Sequence, residues 1–70
     1  MNVNALKARM AYMGMNAKEL CYRTGIGLSA FYRKIAGKTE FTQGEISAIS
    51  HELSLTHDAL CEIFFADKVS

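Results

Sequence analysis

The sequence has no proline, only two cysteines among 70 residues, and no apolar run long enough to span a bilayer. Without proline, and without a polar or low-complexity stretch to divide it, the chain offers no linker and reads as one compact, mostly helical unit. Cys21 and Cys61 lie far apart with no C-x-x-C pair, which suits reduced thiols, buried as small apolar residues, better than a disulfide framework. His57 and Cys61 would share the i, i+4 face of a helix, but paired ligands at metal-site spacing are missing elsewhere, so surface histidines and no metal are expected. The opening MNVNALKARMAYMGM scatters cations through a stretch with no continuous apolar segment, which reads as neither signal peptide nor membrane span, and a cytoplasmic location is expected. No nucleophile, base and orienting acid form a motif, and no glycine loop is laid out to cradle a phosphate. Neither catalytic residues nor a cofactor are expected.

What is present is a dense apolar content, 50% of residues, in a length that makes one small domain with a marginal core. The net charge of +1 conceals a division. Residues 1–38 carry seven Lys or Arg and one Glu, residues 39–70 one Lys and six acids, so the halves stand at +6 and −5. Such asymmetry is what a polyanion-binding surface backed by an acidic remainder would give, although a folded chain can also mix these charges in space.

Four helix starts are written alike. Asn16, Gly27, Thr42 and Thr56 are acceptable N-caps, each preceded by an apolar residue that pairs with another on the first turn: Met15 with Leu20, Ile26 with Phe31, Phe41 with Ile46, Leu55 with Leu60. Glu19 and Glu45 sit where a capping-box carboxylate belongs. The apolar spacing agrees and predicts helices at about 2–13, 17–24, 28–36, 43–53 and 57–65, with no strand-like alternation to compete. Five short helices around one core follow.

The second and third helices are separated only by Thr24 to Gly27, with Gly25 suited to the left-handed conformation that ends the second. Asn16 to Lys38 resembles the helix-turn-helix of the Cro-type, lambda-repressor-like DNA-binding domains, with Gly25 at the turn, Cys21 four residues earlier and Phe31 six later. The flanks take part, Leu6 to Met15 resembling the family's first helix and Phe41 to Leu55 its fourth. The resemblance implies an all-α, five-helix lambda-repressor-like domain over residues 1–70. Three places depart from it. Ala17 stands where Gln is frequent, Gly27 where Ser or Thr usually caps the recognition helix, and Met10 with Ile35 where many relatives bury an Arg and a Glu, an exchange of the whole pair that can be neutral or stabilising.

Plotted at 100° per residue, the third helix puts Ser29, Tyr32, Arg33 and Ala36 on one side and Phe31 and Ile35 on the other, with Leu28 near the boundary. Leu28, Ser29, Tyr32 and Arg33 are therefore the candidate base-reading residues: Arg33 can pair with guanine O6 and N7, Leu28 can meet a thymine methyl, and Ser29 and Ala36 are small enough to lie deep in a major groove. Tyr32 also suits a phosphate hydrogen bond or simple coverage of the motif's edge. Asn16, Lys18, Arg23, Lys34 and Lys38 are the candidate phosphate contacts.

The expected function is sequence-specific binding of a double-stranded DNA operator by a repressor-like or Cro-like transcriptional regulator of phage or prokaryotic type. The alternative is a protein-interaction module on the same scaffold, such as an antirepressor or antitoxin-like partner, to which Ala17 and Gly27 lend support. Phe65 points about 100° away from the Leu60, Ile63 and Phe64 side, which suggests weak homodimerisation through the C-terminal helix; a ring folded back on its own domain is the competing expectation.

Overall fold

The computed structural model describes residues 1–66. Five helices follow one another: α1 (Val3–Tyr12), α2 (Ala17–Thr24), α3 (Leu28–Ile35), α4 (Gln43–Glu52) and α5 (His57–Phe64), with no strand among the described residues. None is long and apolar enough to cross a membrane. The radius of gyration, 11.0 Å, is that of a compact chain of this length.

Each boundary has a local cause. Asn16 accepts from the Glu19 N–H at 2.8 Å, Thr42 from Glu45 at 3.1 Å and Thr56 from Ala59 at 3.1 Å, so three of the expected caps hold donors that a helix start leaves unpaired. A cap not anticipated, Asn2, accepts from Ala5 at 3.0 Å, while its own N–H donates to the Ile63 carbonyl and ties the chain start to α5. The Thr42 cap is a full capping box, with the Glu45 carboxylate accepting from the Thr42 N–H. The second expected box is only half made, because the Glu19 carboxylate turns to Arg23 instead.

Helix ends are equally specified. Gly25 closes α2 at φ 78°, the left-handed region where a Cβ is strained. After α3, Gly37 at φ 84° lets its N–H reach the Lys34 carbonyl and the Lys38 N–H reach the Arg33 carbonyl, a Schellman end. Ser54 takes the corresponding left-handed place after α4 at φ 51°, and there the Arg9 side chain donates to the Leu53 and Ser54 carbonyls at 3.0 and 3.2 Å. A cation from α1 thus satisfies the carbonyl end of α4, where positive charge is favoured.

The core is formed by Leu6, Met10, Leu20, Cys21, Ile26, Phe31, Ile49, Leu53, Ile63 and Phe64, with no buried polar residue among those described. All four apolar pairs flanking the helix starts pack into or against it. Phe31, Phe41 and Phe64 form a chain of edge-to-face rings, with centroids 6.0 and 5.6 Å apart, that joins α3, the approach to α4 and α5. Met10 and Ile35 line one apolar hollow with Leu6 and Phe31, so the two residues read as an exchanged pair share one apolar environment.

Candidate nucleic-acid interface

Helix α3 divides as its spacing dictates. Phe31 is 1% exposed and Ile35 packs against the core, which fixes the rotation of the helix. The opposite side therefore faces outward: Leu28 is 40% exposed, Tyr32 51%, and Ser29, Arg33 and Ala36 are exposed too. The four candidate base-reading residues are brought together on one helix surface. Gly27 starts the helix in extended backbone with no side-chain cap, and a Cβ there would meet nothing within 4 Å, so crowding does not demand glycine.

The cations divide into engaged and unengaged sets. Arg23 reaches Glu19 at 3.4 Å and Glu52 at 3.5 Å, holding α2 to the end of α4, and so differs from a cation held ready for phosphate. Lys34 differs more. Its side chain is 12% exposed, its ammonium bonds the Glu45 carboxylate, and it lies 5.7 Å from the centre of the Phe41 ring. The 100° plot separates inward from outward residues but does not see Glu45, which belongs to another helix. Arg9, bonded to the end of α4, also stacks over Tyr12 at 4.9 Å.

Among the described residues, Lys7, Lys18, Arg33 and Lys38 are exposed and make no ion pair. Unpaired acids among the described residues are Glu40 between α3 and α4, with Asp58 and Glu62 on α5. With the internal pairs set aside, the division seen in the sequence persists among the described residues: unpaired cations lie within residues 7–38 and unpaired acids within residues 40–62. Lys7 was not anticipated as part of this surface. It lines the same hollow as Ala17 and Tyr32, which places α1, the start of α2 and the outward side of α3 beside one another. Lys18 lines a shallow hollow with Gly14, Asn16 and Tyr22, and Tyr22 is 85% exposed. Asn16 is exposed, with its side-chain oxygen committed to the cap.

Two expectations lie away from this surface. Phe65 is half-buried and packs against the core of its own chain. Its helix ends at Phe64 and Phe65 leaves helical geometry at φ −122°, so rotation by 100° per residue no longer tells where the ring points. The last four residues of the apolar C-terminal stretch lie outside the described residues. His57 and Cys61 do share a helix face, with Nε2 and Sγ 3.6 Å apart, and no group of three potential metal ligands assembles among the described residues.

The Glu45 carboxylate is held below the ordinary carboxylate range, first by the Lys34 hydrogen bond and then by the Thr42 N–H, against the opposing effect of burial. A folded-state value lowered in this way contributes stability that is present above the unfolded value, about 4.3, and is lost as pH falls through the folded one. Glu45→Gln should therefore lower the melting temperature most near neutrality, with the gap to the unmodified chain closing on acidification. An equal gap at neutral and acid pH, followed by circular dichroism, would contradict this.

Compared with protein-family models, with curated proteins and with solved structures, the chain matches none.

Proposed function

We propose that this chain is a sequence-specific double-stranded DNA-binding regulator of the lambda-repressor-like, helix-turn-helix kind, reading the major groove with α3. The observation that carries the reading is the outward side of α3. A helix anchored in the core by Phe31 presents a leucine, a small hydroxyl, a tyrosine and an unpaired arginine. Those residues supply apolar contact, adaptable hydrogen bonding and a bidentate donor, which is the chemistry base edges require. Lys7, Lys18 and Lys38 supply charge around it for phosphates. Lys34 is not included, since its ammonium is shielded against Glu45, and Arg23, exposed but shared between Glu19 and Glu52, is left out as well.

Binding should select particular duplexes from a random pool and should weaken steeply as salt rises. Lys18→Ala and Lys38→Ala should each weaken all duplexes about equally, and each should lower the magnitude of the log–log salt slope by roughly one unit if the residue neutralises one phosphate. Electrophoretic shifts across a salt series measure this. A slope unchanged by either substitution removes that lysine from the surface.

The exposure of Tyr12, Tyr22, Leu28 and Tyr32 gives a second reading its one support, since large exposed side chains of this type also suit a protein partner. That reading predicts no enriched sequence in the selection.

A further inference from the structure

Lys34 is the one cation of α3 that the fold turns away from solvent, although Arg33 beside it is exposed. Its partner has other commitments. The Glu45 oxygen that receives the Lys34 ammonium also accepts the Thr42 N–H at 2.8 Å, while the Glu45 N–H donates to the Thr42 hydroxyl. One carboxylate oxygen is therefore the meeting point of the last turn of α3 and the first turn of α4. The segment between them, residues 36–41, is closed at its start by the Schellman bonds of Gly37 and Lys38 and at its end by this capping box. The Phe41 ring lies against both the Lys34 ammonium and the Phe31 ring.

We propose that Glu45 is a positioning residue of the anion-binding surface: it withholds the Lys34 ammonium from phosphate and fixes the turn that carries Lys38. The proposal rests on the DNA-binding reading above. Its physical content is a competition for one charge. A lysine paired with a carboxylate and largely shielded from water does not condense on a phosphate, whereas a lysine released from that pair has a stem long enough to carry its ammonium back to solvent. The surface consequently works with one cation fewer than the sequence of α3 contains. That restricts its affinity for any duplex without touching the residues that read bases.

Two substitutions separate this from a merely structural tie. Lys34→Met keeps an apolar stem against Phe41 and removes the charge. Glu45→Gln keeps an oxygen to accept the Thr42 N–H and removes the carboxylate that holds Lys34. With circular dichroism confirming that both remain helical, the log–log salt slope of duplex binding should be unchanged in Lys34→Met. In Glu45→Gln its magnitude should rise by about one unit, as the released ammonium joins the phosphate contacts, and in the double substitution it should return to the starting value. A slope lowered by about one unit in Lys34→Met would show that Lys34 already meets phosphate and overturns the proposal, as would a Glu45→Gln slope equal to that of the unmodified chain. If the unmodified chain binds no duplex, the DNA-binding reading fails instead, and thermal melts of the same variants still decide the tie. Non-additive shifts in melting temperature sustain it, and additive shifts reject it.

Discussion

Phe31→Ala should unfold the domain. Phe31 is 1% exposed, sits at the centre of the core, pairs with Ile26 across the start of α3 and meets the Phe41 ring edge to face. Removing a ring from such a place costs about 3 to 5 kcal/mol in lost burial and cavity formation. A chain of this length has a total stability of roughly 4 to 10 kcal/mol on the usual per-residue scale, so the loss is comparable with the whole. Circular dichroism should show helicity falling at ambient temperature, or a melting transition lowered by tens of degrees, and DNA binding should vanish with it. Tyr32→Ala, one residue on and 51% exposed, removes a ring of similar size from the outward side and should change stability only slightly. Equal effects of the two substitutions would contradict the division of α3 into a buried and a presented side.

Much of this architecture is legible in the sequence because its signals are local. A cap, the residue before it and the apolar residue on the first turn all lie within six positions, so Asn16, Thr42 and Thr56 could be read as helix starts without knowing where the helices go. The division of α3 follows from its period for the same reason. Arg9 shows what local signals miss. Its acceptors are the Leu53 and Ser54 carbonyls, on the far side of three helices, and nothing near residue 9 announces them. Lys34 and Arg23 are phosphate candidates in the sequence by their charge and their place on or beside α3, and Arg23 is indeed exposed. The residues that claim them, Glu45 and Glu52, belong to α4 and become neighbours only through tertiary packing. Glu19 illustrates a competition between two local rules, since the carboxylate that could complete a capping box lies one turn before Arg23 and pairs with it instead. Phe65 marks where periodicity itself stops: a 100° step places its ring only if α5 continues through it, and α5 ends at Phe64.

The same distinction orders the electrostatics. A count of charges along the chain gives two halves of opposite sign but does not say which charges reach solvent. After Arg9, Arg23 and Lys34 are met by carbonyls or carboxylates, the unpaired cations among the described residues are Lys7, Lys18, Arg33 and Lys38, and of these Arg33 stands on the outward side of α3. Lysines around the helix can set affinity and orientation, whereas the planar guanidinium can also discriminate.

Arg33→Ala should accordingly change which DNA is preferred. Arg33 is exposed and unpaired, so its removal leaves the core and the helix ends intact and the variant should melt close to the unmodified chain. A bidentate contact to guanine discriminates against the wrong base by about 1 to 3 kcal/mol, roughly 5- to 150-fold, and that preference should be lost at one position of the site. Ser29→Ala should act in the same sense but more weakly, because a hydroxyl both donates and accepts. The direct measurement is selection from a random duplex pool, carried out in parallel with the unmodified chain and with folded Arg33→Ala. The predicted result is one enriched site for the unmodified chain, and for the variant the same site with its preference for guanine relaxed at a single base pair and kept elsewhere. Identical enrichment by both proteins, or enrichment by neither, would contradict the claim that the outward side of α3 reads DNA.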